Sequence, residues 1–232
     1  MLKINYKSIG LTLLACLTIL LGTSLHTFAA DRTYILSYSP GTLFHQLVRD
    51  RIKKVYERAG LEVECIALPH NRSLVSANEG TVDGDVGRVP SVEEKYPNLL
   101  RVNVKLMDLN GAVYTARTDI GQYSADLLKT RKTAYVLGVR WPEKKMEGLK
   151  AVKVRDYHSL FEMLLQNRVD IALATEASAR STIEKLGQRA ERIHKLDPLV
   201  LTAPIYHYLN KKNAGIIPLL EKTLEEMNSE GE

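Results

Sequence analysis

From Thr33 to Met227, short runs rich in β-branched and aromatic residues alternate with stretches whose apolar residues recur at helical spacing. Such alternation confines the chain to an α/β architecture built on mostly parallel sheets. TYILSYS (33–39) reads as a strand and ends at the turn signal Pro40-Gly41. Leu43, Leu47, Val48, Ile52, Val55 and Tyr56 then mark a helix that Gly60 can stop. LEVECIALP (61–69) is the next strand, Asn71 can cap a helix over 72–79, and TVDGDVGRV (81–89) is a third strand rich in glycine and acid. LLRVNVKLMDL (99–109) alternates like a strand, and Tyr114–Arg117 reads as another. The pattern then restarts with AYVLGV (134–139), AVKVRDY (151–157), a helix over 159–166, RVDIALA (168–174) and a helix over 177–186. PIYHYLN (204–210) is extended, and an amphipathic helix over 218–227 closes the chain.

An internal echo divides this series in two. NRSLVSANEGTVDGDVG (71–87) resembles YHSLFEMLLQNRVDIALA (157–174). In each, Ser-Leu opens a helix and Val-Asp opens a strand, with ten positions between Ser73 and Asp83 and eleven between Ser159 and Asp170. One α/β unit in each of two similar lobes accounts for the echo, and coincidence between common helix–strand units is the alternative.

The first thirty residues stand apart. Lys3 and Lys7 precede the apolar run LTLLACLTILLG (11–22), and small residues follow, with no acid before Asp31. This is the order of a secretory signal peptide (1–30), cut after Ala30 or Ala29. The apolar run is short for an uncleaved membrane anchor. Cys16 raises a lipid-anchor alternative, which the apolar residues after it disfavour. Cleavage lowers the net charge from +5 to +3 and leaves Cys65 as the sole cysteine, so no intrachain disulfide is expected and core burial must hold the protein together. Cys65 lies in an apolar strand and reads as an inert buried thiol. A charge this small and evenly spread gives no reason to expect nucleic-acid binding.

The ordered set ILSYSP, LPHNRSLVSANEGTVDGDVGRV, NLLRVNV, AYVLGVRW, HSLFEMLLQNRVDIALAT and APIYHYLNKKN resembles the bacterial family 3 solute-binding proteins, the extracytoplasmic receptors typified by amino-acid uptake systems. The resemblance covers nearly all of 33–231. It implies the two-lobed periplasmic-binding-protein-like fold (type II), each lobe a mixed sheet flanked by helices, with two hinge crossings. Lobe 1 would comprise 31–113 and 203–232, and lobe 2 would comprise 114–202. The hinge would run through 110–115 and 201–205. The implied function is capture of a small polar solute in the interlobe cleft by a monomer, for a membrane permease of the ABC type or for a sensor receptor.

In open α/β sheets, ligands bind beyond the carboxyl ends of the strands, and that rule selects candidates from the residues alone. After the first strand come Tyr38 and Ser39, at a helix start suited to an anionic group or merely an ordinary turn. Arg72 follows the second strand and can fork onto a carboxylate. In Asp83–Arg88 the glycines would let the backbone approach a ligand, Arg88 would bind a carboxylate, and Asp85 would pair with Arg88 or Arg72. Arg140 and Trp141, the sole tryptophan, follow the strand 134–139, and Thr175 and Glu176 follow the strand 168–174. By resemblance to amino-acid binders, Arg88 would take an α-carboxylate and Glu176 an α-amino group, although the usual threonine-rich approach to the arginine is absent.

No catalytic constellation can be assembled. HExxH, CxxC, GxSxG and phosphate-loop motifs are lacking, and His45, His70, His158, His194 and His207 do not have metal-ligand spacing. Neither cofactor nor metal is expected. Some relatives of this fold are dehydratases that use a cleft carboxylate, and Glu176 is the one candidate for that role.

Overall fold

The computed structural model describes residues 32–231. The expected signal peptide lies outside the described residues. Among those described, no helix is long and apolar enough to cross a membrane.

Two sheets are built on the same plan. In the first, β1 (Tyr34–Tyr38) pairs in parallel with β2 (Val63–Ala67) on one side and β3 (Gly84–Arg88) on the other. The connections are α1 (Leu43–Arg58) and α2 (His70–Glu79). β3 then pairs antiparallel with the C-terminal part of the long β9 (His194–Asn210), which also holds the short β4 (Leu99–Arg101). In the second sheet, β6 (Thr133–Val136) lies in parallel between β7 (Ala151–Val154) and β8 (Ile171–Thr175). β8 pairs antiparallel with β5 (Met107–Thr115). The strand orders β2-β1-β3-β9 and β7-β6-β8-β5 therefore repeat one topology.

The sequence echo has a physical counterpart in that repeat. Asp83 accepts the Ile35 amide on Oδ2 at 2.9 Å, and its own amide donates to the Ile35 carbonyl at 2.7 Å. Asp170 does the same with Lys132, at 2.9 Å and 2.8 Å. In both halves the aspartate brackets the start of the central strand and sets the register of the strand it precedes.

β5 and β9 run antiparallel from Met107 opposite Ile205 to Thr115 opposite His194, with an irregularity between Gly111 and Val113. Together they join the two sheets, β9 pairing with β3 and β4 in the first and β5 with β8 in the second. The expected strand over 99–109 is broken: Val102 and Leu106 donate to the carbonyls of His207 and Ile205, and the chain bends between them. The strand expected over 114–117 is the end of β5.

Each half has its own core. Leu36, Ile52, Val55 and Tyr56 pack with Leu209, Leu220 and Leu224 in the first. The last two come from α7 (Ile217–Ser229), which returns to α1 and is tied to it by the forked pair between Arg58 and Glu230 at 2.6 Å. In the second half, Leu160, Phe161 and Leu164 of α5 (Tyr157–Leu165) pack on one face of the sheet, and Ile171, Leu173 and Leu196 lie on the other. Cys65 is half-buried, and burial raises its thiol to about 11, so it is protonated near neutrality.

Candidate functional site between the two halves

The carboxyl ends of β1, β2 and β3 carry a buried polar network. Asp85 is fully buried and Arg88 is 6% exposed. The Arg88 Nη2 donates to Asp85 Oδ2 at 2.8 Å and to Ser73 Oγ at 3.1 Å, while Ser73 Oγ donates to the same carboxylate oxygen at 2.6 Å. Arg88 Nη1 donates to His70 Nδ1 at 3.2 Å. Of the two partners open to Asp85 on sequence grounds, the structure selects Arg88. Arg72 is exposed on α2 and stands outside the network.

His70 opens α2, which begins one residue before the expected Asn71 cap. Pro69 occupies the cap position and supplies no side-chain hydrogen bond. His45, in the first turn of α1, completes the cluster: burial and the charge of Arg88 lower it to about 4, against the opposing charge of Asp85. His70 is lowered to about 4 by burial, then by Arg88 and by Arg140 from the other half. His70 thus contacts the Arg88 guanidinium, and the charge of that group acts on both histidines. Among the described residues no group of three or more acidic, histidine or cysteine side chains is arranged to hold a metal.

Two expectations about this region change. The glycines of β3 serve packing and not ligand approach. A Cβ on Gly87 would come within 2.6 Å of Val48 and 2.9 Å of Ile205, and one on Gly84 would strike the Tyr208 carbonyl and the Leu209 backbone. Tyr38 is half-buried against the first core, with its hydroxyl 3.5 Å from Arg49 Nη1 and its ring under the Arg49 guanidinium. Ser39 beside it is buried.

In the second half, Arg140 and Trp141, expected only to follow the strand 134–139, open a short helix, α4 (Arg140–Lys145). Arg140 is exposed. The Trp141 ring lies on Gly111 of the crossing strand, so closely that a Cβ there would sit 2.9–3.0 Å from three ring atoms. Its indole nitrogen is buried and has no hydrogen-bond partner among the described residues. Thr175 caps α6 (Glu176–Leu186) by accepting the Ser178 amide at 3.4 Å. Glu176, in the first turn where the helix dipole favours an acid, accepts from Lys195 Nζ at 2.9 Å, and that contact holds its carboxyl below the usual range.

A groove of about 580 Å³ runs between α1 of the first half and α6 of the second, floored by the crossing strands. Phe44, Asn110, Tyr114, Thr175, Glu176, Arg180 and Lys195 line it. Of the nine residues selected from the sequence, Thr175 and Glu176 line this groove. Asp85 and Arg88 lie in the network at the strand ends, Trp141 covers the crossing strand, and Tyr38, Ser39, Arg72 and Arg140 lie elsewhere on the same facing ends. Phe44, Asn110, Tyr114, Arg180 and Lys195 were missed. Asn110 falls within the expected hinge, and its position beside Gly111 is the only sequence signal; Lys195 has none.

No protein-family model matches the sequence. An uncharacterized protein of Shewanella oneidensis is 27% identical over 173 residues, 71% of this chain, and the chain spans 64% of that protein's length. Among solved structures, an ancestral arginine-binding protein bound to glutamine superposes with a TM-score of 0.61 at 16% identity, covering 87% of this chain and 94% of its own. A histidine kinase sensor domain with similarity to periplasmic binding proteins gives 0.61 at 15% identity, covering 87% and 92%. The substrate-binding protein of an amino-acid ABC transporter gives 0.57 at 15%, covering 86% and 95%. The chain therefore has the two-lobed periplasmic-binding-protein-like fold. The resemblance to family 3 solute-binding proteins read from its sequence agrees with these neighbours in fold, and the solved structures named here are binding proteins and a sensor domain.

Proposed function

We propose that the protein is an exported solute-binding protein that captures a small polar solute, amino-acid-like or carboxylate-bearing, between two lobes. The observation that carries this reading is the groove itself, with walls from both like-built halves and a floor from the two strands that join them. The lobes divide as 31–113 with 203–232 and 114–202. Closure is a hinge motion at 110–115 and 201–205. Phe44 and Tyr114 supply apolar wall, and Glu176, Arg180 and Lys195 supply charges of both signs, which suits a zwitterion. As an exported protein it would act in the periplasm or outside the cell, as a monomer read by a membrane permease. Delivery to a sensor receptor is the second reading, favoured by the fold likeness to a kinase sensor domain.

A thermal-shift screen of amino acids, small carboxylates and amines tests the capture reading. At a hundredfold excess over Kd a ligand adds about 2.7 kcal/mol, a rise of about 5–11 °C for a chain of this size. If no solute class raises the melting temperature, capture is refuted.

A further inference from the structure

The small overall charge hides one local excess. Between Leu137 and Arg155, six cations stand against two acids, an excess larger than that of the whole chain without residues 1–30. This segment is the outer edge of the second sheet. It leaves β6, forms α4 and returns as β7, which pairs with β6 alone. Lys144, Lys145, Lys150, Lys153 and Arg155 are exposed on it, and among the described residues the four lysines make no ion pair. Two nearby acids are engaged by backbone. Glu143 Oε1 accepts the Gly138 amide at 2.9 Å, and Asp156, beside Arg155, accepts the Ser159 amide at 2.7 Å. Apolar residues lie exposed among the lysines. Leu137 is 60% exposed, more than any other large hydrophobic residue described, and Leu149 and Val152 are exposed as well. The backbone fixes both leucines in place: the Leu137 amide donates to the Val154 carbonyl and the Leu149 amide to the Met146 carbonyl, each at 2.9 Å.

We propose that this edge docks on an anionic lipid surface and holds the protein against a bilayer by its second half. The lysines meet the lipid phosphates, and Leu137, Leu149 and Val152 enter the headgroup boundary. The proposal goes beyond solute capture and does not depend on which solute the groove takes.

The mixture of residues selects the partner. Interfaces between proteins centre on tryptophan, tyrosine and arginine anchors and are poor in lysine. Here lysine dominates, and none of the exposed residues from 137 to 155 is aromatic. A second copy pairing through the free edge of β7 is opposed by Lys153, a charge on the edge strand itself, and by repulsion between two like-charged edges. An anionic bilayer suits both features. Lysine stems lie along apolar surface while their ammonium groups stay at the level of the phosphates. Attachment of this kind grows with buried apolar area and with attraction to anionic lipid. Lys153 alone would suffice to blunt the edge; it does not account for the lysines of α4 or for the two leucines held outward beside the strand.

Co-sedimentation with vesicles tests it. The exported chain, 31–232, is used, in which 33–232 is one compact unit, so that the apolar run 11–22 cannot insert by itself. The protein should bind vesicles of mixed phosphatidylglycerol and phosphatidylcholine and not vesicles of phosphatidylcholine alone. Binding should be lost as salt rises from about 0.1 M to about 1 M and the screening length falls from about 10 Å to about 3 Å. Lys150→Gln with Lys153→Gln should weaken it about twenty-fivefold, at about fivefold for each cation removed. Lys53→Gln with Lys54→Gln, exposed on α1 in the other half, changes the net charge equally and should leave binding as it was. Leu137→Ser should weaken binding by up to about tenfold. No preference for the anionic vesicles, or an equal loss from the two lysine pairs, overturns the proposal. Soluble polyglutamate bound as tightly as the vesicles, or a Leu137→Ser variant that binds vesicles unchanged, makes the partner a generic polyanion and refutes the lipid surface. A dimer in sedimentation that Val152→Asp dissolves gives the edge to a second copy and refutes it too.

Discussion

Acidification should destabilise the folded protein through His207, which lies outside the groove. The ring is fully buried. Its Nδ1 is 2.9 Å from the Asp85 carbonyl, which only accepts, so Nδ1 carries the proton. Nε2, 3.0 Å from the Tyr56 hydroxyl, then accepts, and the imidazole is neutral. Burial lowers its pKa from 6.5 to about 4, with smaller opposing contributions from Asp85 and Val86. Below about 6.5 the unfolded chain binds a proton that the folded ring refuses, so stability falls as the pH falls. The dependence levels off near pH 4, where the folded ring is protonated too. A gap of about 2.5 pK units at 1.36 kcal/mol each is worth about 3 kcal/mol. For a chain of this size that is a fall of about 6–12 °C in melting temperature.

Urea unfolding at a series of pH values, run on the protein and on His207→Asn, isolates the effect. Asparagine keeps a donor for the Asp85 carbonyl but cannot titrate. The variant is less stable at neutral pH, because the Tyr56 hydroxyl loses its acceptor, yet its stability should fall less steeply through the histidine range. His45 and His70 act in the same direction, and they remain in both proteins. The difference between the two slopes therefore belongs to His207. Equal slopes for protein and variant would refute the assignment of a neutral, buried imidazole at this position.

Other substitutions test the packing and the paired charges. Gly111→Ala drives a methyl into the Trp141 ring, and overpacking of this kind costs about 1–3 kcal/mol; melting temperature should fall and the emission of the single tryptophan should shift, and a companion Trp141→Leu should recover part of the loss. Gly84→Ala meets backbone of β9, which cannot give way as a side chain can, so urea unfolding should show a loss at least as large as that at Gly111. Asp85→Asn leaves the Arg88 guanidinium buried without its counter-charge and should cost about 3–5 kcal/mol by denaturant unfolding, whereas Arg72→Ala, at an exposed position, should stay within about 0.5 kcal/mol.

The fold was legible because its signals are local. The period switch from strand to helix is written in the order of the residues. The repeated Val-Asp before a strand marks Asp83 and Asp170, whose carboxylates bracket a neighbouring strand in each half. The site was legible only in part, because its geometry is set by long-range register. Lys195 meets Glu176 since β9 pairs with β5 and β5 with β8, a relation no window of sequence contains. His45 and His70 converge because β1 and β2 are parallel, so the helices that follow them begin on the same edge. The glycines of β3 misled for the opposite reason: the same residue type serves ligand approach and tight strand packing, and only the neighbours Val48 and Tyr208 decide between them.

The two halves share a plan but not a chemistry. β8 is Ile-Ala-Leu-Ala-Thr, entirely buried, and its last residue caps a helix. β3 is Gly-Asp-Val-Gly-Arg, and its polar residues are held by Ser73 and by the backbone of Gly87. A strand that buries an aspartate and an arginine between a parallel and an antiparallel neighbour gives up apolar contacts that its counterpart keeps, and replacing such a pair with hydrophobic residues is often neutral or stabilising. Stability alone is therefore a poor reason for the Asp85–Arg88 pair. Its effect is to fix a guanidinium at the facing edge of the first half, with its planar fork restrained by Asp85, Ser73 and His70 at 2.8–3.2 Å. Preorganisation of that kind lowers the entropic cost of binding.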